Sequence, residues 1–214
     1  MLASTKRRNA LAYAPGAILG VGVATDYGQE TAVTEQASQM TPQHVPEATF
    51  HTRQRIETPD GTATFDWKPL TTADVFGGQR VVLLAVPGAY TPACSDAHLP
   101  GYERLYEDFR AEGVDRIACL AVNDAFVMNH WAQSLKIEKV QMLPDGNGDF
   151  TRQMGMLVDR TMVGMGHRSW RYAMLVEVRA ITTFLPEPGF EEKPKAVPFG
   201  ASSAENLLAK VTGG

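Results

Sequence analysis

A run of six apolar residues, Val81 to Val86, is followed within a few positions by a cysteine, and this junction limits what the chain can fold into. The run lies between Arg80 and Pro87 and contains no polar residue, which is typical of a strand buried on both faces. A second apolar run, Ile117 to Val122, has the same character. A helical pattern joins the two runs. Together they predict a right-handed βαβ unit and an α/β domain around a buried sheet.

The segment after the first strand predicts the beginning of a helix. Thr91 offers an N-cap hydroxyl, Pro92 suits the first helical position, and Cys94 is then the third helical residue. The unpaired N–H groups and the positive end of the helix dipole favour negative charge, so a thiol here favours the nucleophilic thiolate form. The alternative is a buried cysteine that only packs, with Thr91 as an ordinary cap. Its position after a buried strand favours a functional cysteine.

The first helix carries apolar residues at helical spacing and is predicted to end at Gly113. We expect a kink at Pro100-Gly101, because Pro100 cannot donate to the carbonyl of Asp96. Asn123 or Asp124 can cap the next helix.

The second half of the domain predicts a sheet edge and a terminal helix. Short strands are expected at Val140–Leu143, Tyr172–Val178 and Ile181–Phe184, the last two forming a hairpin. Residues 186–200 contain four prolines and are predicted to be a loop. Ser202 and Glu205 are spaced as a capping box for a final helix.

Composition excludes several classes of function. The chain has 214 residues, of which 44% are hydrophobic, so one domain over residues 43–214 has enough apolar material for a core. A net charge of −4 and the lack of basic blocks give no reason to expect binding to nucleic acid. No metal-ligand spacing, cofactor motif or membrane-length apolar stretch is present. Two cysteines cannot form a disulfide framework, which indicates a reducing compartment and predicts a cytoplasmic location.

Residues 1–42 are predicted to be a leader or a disordered extension. A basic group, Lys6 to Arg8, precedes the apolar stretch Ala10 to Ala24, which is too short to span a bilayer. A signal or transit peptide is the alternative, and it would direct the protein to an organelle or out of the cell. An upstream start, with the natural initiator at Met40, also fits the pattern.

Four blocks of the sequence carry a resemblance to a known family. They are Pro87 to Tyr102 (PGAYTPACSDAHLPGY), Val122 to Met128, Leu143 to Gly148 and, after Gly155-Met156, Arg168 to Tyr172. Together they resemble the peroxiredoxins, and in particular the type-five subgroup with its plant type-two and bacterial hybrid relatives. The blocks occur in the family's order over roughly residues 45–178, which makes the resemblance far more specific than any single motif.

The resemblance implies a thioredoxin-like fold, with a central mixed sheet flanked by helices, and a thiol peroxidase that reduces hydrogen peroxide and alkyl hydroperoxides. By position, Cys94 matches the peroxidatic cysteine and Thr91 the threonine that hydrogen-bonds the peroxide. Pro87 matches the proline that shapes the pocket. Arg171 matches the arginine that steadies the thiolate and the transition state, and nearby Arg168 is a second candidate. A homodimer built on the active-site face is also implied.

Recycling of the oxidised sulfur is expected to need an external thiol. The second cysteine, Cys119, lies within an apolar strand and is expected to be a core residue, so the sequence predicts a one-cysteine cycle. Glutathione with glutaredoxin, or thioredoxin, would act as the reductant. His98, one turn after Cys94, could orient the loop but is expected mainly to form a structural hydrogen bond.

Two other functions compete with the peroxidase. In the first, the protein is a redox sensor or binding module whose oxidation at Cys94 is read by a partner. In the second, it is a thioredoxin-type disulfide exchanger, which is disfavoured because a two-cysteine motif is absent. Thr91 and Arg171 favour the enzyme, since a sensor needs no donors for a transition state.

Overall fold

The computed structural model describes residues 42–60 and 62–213. The leader or extension predicted for residues 1–42 therefore lies outside the described residues, except for its last position. In chain order the elements are β1 (Thr49–Glu57), β2 (Ala63–Thr71), α1 (Thr72–Phe76), β3 (Arg80–Val86), a π-helical turn (Cys94–His98), α2 (Leu99–Arg104), α3 (Tyr106–Ala111), β4 (Arg116–Ala121), α4 (Ala125–Ser134), β5 (Gln141–Pro144), α5 (Asp149–Gln153), β6 (Leu157–Asp159), a 3-10 turn (Thr161–Val163), β7 (His167–Ser169), β8 (Tyr172–Glu177), β9 (Ala180–Pro186) and α6 (Ala204–Thr212).

The central sheet has five strands in the order β5-β4-β3-β8-β9. Strands β3, β4 and β5 are parallel, whereas β8 is antiparallel to β3 and β9 is antiparallel to β8. The predicted mixed sheet is thus confirmed. All six residues from Val81 to Val86 are fully buried, and alternate residues enter the apolar clusters on the two faces. This is the double burial that the apolar run predicts.

The helix after β4 begins as the sequence predicts. Asp124 is its N-cap, and the carboxylate accepts hydrogen bonds from the N–H groups of Phe126 and Val127 at 2.8 and 3.0 Å. Met128 and Trp131 on its inner face are buried in the core. The cap therefore fixes where the helix starts, and the apolar face fixes how it packs.

The helical irregularity near the cysteine lies earlier than the predicted kink at Pro100. The Leu99 N–H donates to the carbonyl of Cys94, five residues back, which gives the wide π-helical turn Cys94–His98. Pro100 is the second residue of α2, which continues directly from this turn. The kink at Pro100-Gly101 stays a prediction. The helix is interrupted again at Leu105, between α2 and α3.

The N-cap of α6 lies one residue after the predicted Ser202, so the prediction of a capping box with Glu205 was wrong. Ser203 is the N-cap of α6, and its hydroxyl accepts from the Asn206 N–H at 3.3 Å. The Ser202 hydroxyl instead donates to the buried carboxylate of Glu187 at 2.7 Å. The helix therefore begins one position later than predicted, with Ser203 rather than Ser202 at the N-cap.

Strands β1 and β2 pair along their whole length, from Thr49 with Thr71 to Glu57 with Ala63, and the sequence pattern does not predict them. Most residues of this hairpin with a described side chain are exposed. A strand with neither face fully buried shows no hydrophobic alternation, so pattern analysis cannot detect it. The two-stranded sheet of β6 and β7 was missed because each strand has three residues.

The predicted hairpin near the end of the domain is confirmed as β8 and β9, joined by Val178 and Arg179. Both linking residues have positive φ, 47° for Val178 and 75° for Arg179. Two positive φ values in a two-residue loop describe a type I′ turn, which Asn-Gly adopts most readily. A β-branched residue in the left-handed region is strained, so this turn stores backbone strain.

Within residues 42–60 and 62–213, no helix combines the length and the apolarity needed to cross a membrane. The same part of the chain has no group of three or more histidine, cysteine or acidic side chains placed to hold a metal ion.

Candidate active site

The site is built around Cys94, which is fully buried where the chain leaves β3 and enters the helix. The Ser95 N–H donates to the carbonyl of Thr91 at 3.0 Å and so forms an intrahelical bond of the first turn. The N–H of Cys94 precedes that bond, as expected for the third helical residue, and it points with the helix dipole toward the N-terminal end.

Arg171 brings a positive charge to the sulfur. It directly precedes β8, and its neighbour Tyr172 pairs with Ala85 near the end of β3, so the sheet register places the two halves of the site side by side. Arg171 Nη1 donates to Cys94 Sγ at 3.3 Å, and the arginine is only 3% exposed. A guanidinium donor at this distance stabilises a thiolate more than a thiol.

Three further contacts hold the guanidinium in place. Arg171 Nε donates to the carbonyl of Pro198 at 2.9 Å, and Nη1 also lies 3.1 Å from His98 Nδ1. The ring of Phe199 covers the guanidinium, with 5.5 Å between its centroid and Arg171 Cζ. Two of these three contacts come from a segment far along the chain, so the site depends on the loop before α6.

His98 is buried and its hydrogen bonds assign its tautomer. Arginine can only donate, so His98 Nδ1 accepts from Arg171 and the proton is on Nε2, which donates to the carbonyl of Ser202 at 2.9 Å. Burial, followed by the charge of Arg171, lowers the pKa of His98 to about 3. His98 is therefore neutral at physiological pH and acts as an acceptor for the arginine. The structural hydrogen bond expected for His98 is present, from Nε2 to the Ser202 carbonyl, and the same ring also contacts Arg171.

The loop between β3 and the helix carries the two other predicted residues. Pro87 is buried directly after β3, and Thr91 immediately precedes the helix. The Thr91 hydroxyl donates to the carbonyl of Gly88 at 2.9 Å, which differs from the predicted N-cap bond. With its hydrogen committed to Gly88, the oxygen keeps lone pairs that can accept an O–H group.

Arg168, the second candidate arginine, binds backbone carbonyl groups. Its guanidinium donates to the carbonyls of Val122 and Met165, each at 2.7 Å. These bonds tie the loop before β7 to the end of β4. Of the two arginines, Arg171 is the one that the structure brings to Cys94.

Cys119 lies in β4, where it pairs with Leu84 and Met142 and is fully buried. Burial, with a smaller contribution from Cys94, raises the pKa of the Cys119 thiol well above its ordinary value. The sulfur is therefore held as a neutral thiol in the core, in agreement with the expectation from the apolar run.

No sequence pattern indicated a place in the site for four residues: Glu187, Pro198, Phe199 and Ser202, the last of which was predicted only as a helix cap. All lie between β9 and α6, in or beside the segment predicted as a proline-rich loop. Glu187 is 2% exposed, yet nothing local distinguishes it from the exposed Glu191 and Glu192. A tertiary contact buries it, and a loop sequence carries no periodic signal of such burial.

A thiol at a strand-to-helix junction, with an arginine donor from a neighbouring strand of a mixed sheet, defines a thioredoxin-like thiol protein. In agreement, the sequence profile of the Redoxin family matches residues 45–196. Peroxiredoxin sll1621 of Synechocystis is 49% identical over 174 residues, which cover 81% of this chain and 92% of that protein. The hybrid peroxiredoxin hyPrx5 of Haemophilus influenzae is 41% identical, with 80% of this chain and 66% of that protein covered.

A solved structure extends the same relationship to the fold. Reduced Prx3 of Vibrio vulnificus in complex with H2O2 superimposes with a TM-score of 0.65 at 40% identity, covering 80% of this chain and 98% of that one. The chain belongs to the peroxiredoxins, in the subgroup of the hybrid and plant type-two members. The thioredoxin-like fold is thereby confirmed.

Proposed function

We propose that the protein reduces hydrogen peroxide and alkyl hydroperoxides through a sulfenic acid at Cys94. The observation that carries this proposal is the hydrogen bond from Arg171 Nη1 to Cys94 Sγ at 3.3 Å in a buried site. It joins a nucleophile to a fixed positive donor, as a peroxidase of this family requires. The Vibrio vulnificus relative crystallised with H2O2 supports the choice of substrate.

The reaction is a displacement at oxygen. The Cys94 thiolate attacks one peroxide oxygen, the S–O bond forms as the O–O bond breaks, and hydroxide or alkoxide leaves and takes up a proton. The sulfur loses two electrons to the peroxide. Negative charge develops on the leaving oxygen, and Arg171 together with the N–H of Cys94 supplies donors for it. Thr91 accepts the peroxide O–H, and Pro87 shapes the wall of the pocket.

Recycling is proposed to use a single cysteine. Glutathione attacks the sulfenic acid to give a mixed disulfide and water, and a second thiol, delivered by glutathione with glutaredoxin, releases the Cys94 thiolate. Thioredoxin is the alternative donor. The core position of Cys119 supports this cycle, because a buried neutral thiol is a poor nucleophile. The need for glutathione also favours a reducing compartment such as the cytoplasm.

A homodimer on the active-site face is part of the proposal. Two large aromatic side chains are exposed on loops of the site, Tyr90 at 51% and Phe199 at 37%. Such residues are typical of a protein–protein contact. Sedimentation at micromolar concentration tests the assembly, and a monomer at all concentrations would overturn this part.

The central experiment is peroxide consumption by the wild type and by Cys94→Ser, with glutathione plus glutaredoxin and with thioredoxin in parallel. Multiple turnovers that vanish in Cys94→Ser support the enzyme. One equivalent of peroxide consumed with no turnover under either reductant favours the sensor instead. A thiol at residue 94 that stays unmodified by mass spectrometry after one equivalent of peroxide would refute both.

A further inference from the structure

We infer that Glu187 is a positioning residue that fixes the segment Pro198–Ser202 over the active site and thereby orients the Arg171 guanidinium. The inference rests on the function proposed above, and it adds to that function a residue that touches neither the sulfur nor the peroxide.

Glu187 is the anchor of this segment. Its Oε1 accepts from the Gly200 N–H at 2.9 Å, from the Ser202 N–H at 2.8 Å and from the Ser202 hydroxyl at 2.7 Å. Its Oε2 accepts from the Ala201 N–H at 3.2 Å. One carboxylate thus binds three successive backbone N–H groups and a side chain, and so sets the conformation of a loop with no regular structure.

The anchored segment supplies three contacts to the site. The Pro198 carbonyl accepts from Arg171 Nε at 2.9 Å, and the Phe199 ring covers the guanidinium. The Ser202 carbonyl accepts from His98 Nε2 at 2.9 Å, and His98 in turn accepts from Arg171 Nη1. Both edges of the guanidinium are therefore held by groups whose positions depend on Glu187.

The backbone of Glu187 is also hydrogen-bonded directly to the residues that precede β8. Its N–H donates to the carbonyl of Arg171 at 3.0 Å, and its carbonyl accepts from the Trp170 indole at 2.9 Å. The carboxylate of Glu187 therefore binds the segment Pro198–Ser202, while its main chain binds Trp170 and Arg171. Burial raises the pKa of Glu187, but the bonds from Ser202, Gly200 and Ala201 outweigh it and keep the pKa below its usual value. The side chain is thus a charged, fully used acceptor at neutral pH.

The test is Glu187→Gln, which keeps the shape and removes the charge and one acceptor oxygen. We expect the second-order rate of H2O2 reduction to fall on the order of 10-fold, less than for loss of Arg171 itself, because the donor stays but its orientation relaxes. Chymotrypsin cleavage after Phe199 should become faster. Glu191→Gln, an exposed glutamate of the same loop, is the matched control and should change neither readout.

A double-mutant cycle separates positioning from a general loss of stability. In an Arg171→Ala background, Glu187→Gln should change the rate less than twofold, since the group it positions is gone. The same factor in both backgrounds, or an unchanged rate in the wild-type background, would overturn the inference. If the wild type itself does not reduce peroxide, the proposed function fails. The inference is then decided by the rate at which iodoacetamide alkylates Cys94 at pH 7, which Glu187→Gln should change only when Arg171 is present.

Discussion

The buried histidine beside Arg171 should make the stability of the protein depend on pH in a defined window. His98 has a pKa of about 3 in the fold and an ordinary value of 6.5, because burial and the adjacent guanidinium oppose its charge. The native state therefore binds fewer protons than the unfolded state between these values. The contribution of neutral His98 to the unfolding free energy is fully present above pH 6.5. It is lost as the pH falls from 6.5 toward 3, at about 1.4 kcal/mol per pH unit.

The magnitude follows from the two pKa values. Between pH 7 and pH 5, titration of His98 in the unfolded chain should cost about 2 kcal/mol of unfolding free energy. His98→Gln cannot ionise, so it should lose about 2 kcal/mol less than the wild type over this range. Carboxylates contribute little to the difference, because most of their titration lies below pH 5 and is common to both proteins.

The assay is urea unfolding at fixed pH values from 5 to 7.5, followed by the fluorescence of the buried Trp131 and Trp170. Substitution of the exposed His44 by Gln serves as the control and should leave the wild-type pH profile unchanged. Parallel profiles of unfolding free energy for the wild type and His98→Gln would refute the reasoning, since they would show that residue 98 binds a proton equally well in both states.

Three further predictions concern single side chains. Arg171→Ala should lower kcat/KM for H2O2 by on the order of 10²-fold or more, as loss of an oxyanion donor does, and a wild-type rate in a peroxide assay would contradict its role. Cys119→Ser should keep its activity with glutathione and glutaredoxin; loss of recycling in a folded variant would show that this thiol takes part. Val178→Asn should raise the unfolding free energy by about 1 kcal/mol in urea titrations, because asparagine tolerates positive φ, and a destabilised variant would disprove strain at this turn.

The sheet and the thiol could be read from the sequence because burial on both faces leaves a strong local signal. Val81 to Val86 and Ile117 to Val122 are such runs, and each occurs where a strand is found. The family blocks gave the placement of Arg171, which no periodicity reveals. The features that could not be predicted depend on tertiary contacts, such as the burial of Glu187 and its hydrogen bond from the Ser202 hydroxyl. The exposed hairpin of β1 and β2 gave no signal for the opposite reason, since little of it is buried.

The site is assembled from parts that are distant in the chain. Cys94 and Arg171 are separated by 77 residues, and His98 and Ser202 by 104. A ribosome adding residues one at a time exposes the sulfur long before the strand that carries its guanidinium has emerged. Until that strand has folded beside β3, the sulfur lacks its charged donor. Under the proposed function, a truncated product without Arg171 therefore holds a cysteine that reacts slowly with peroxide.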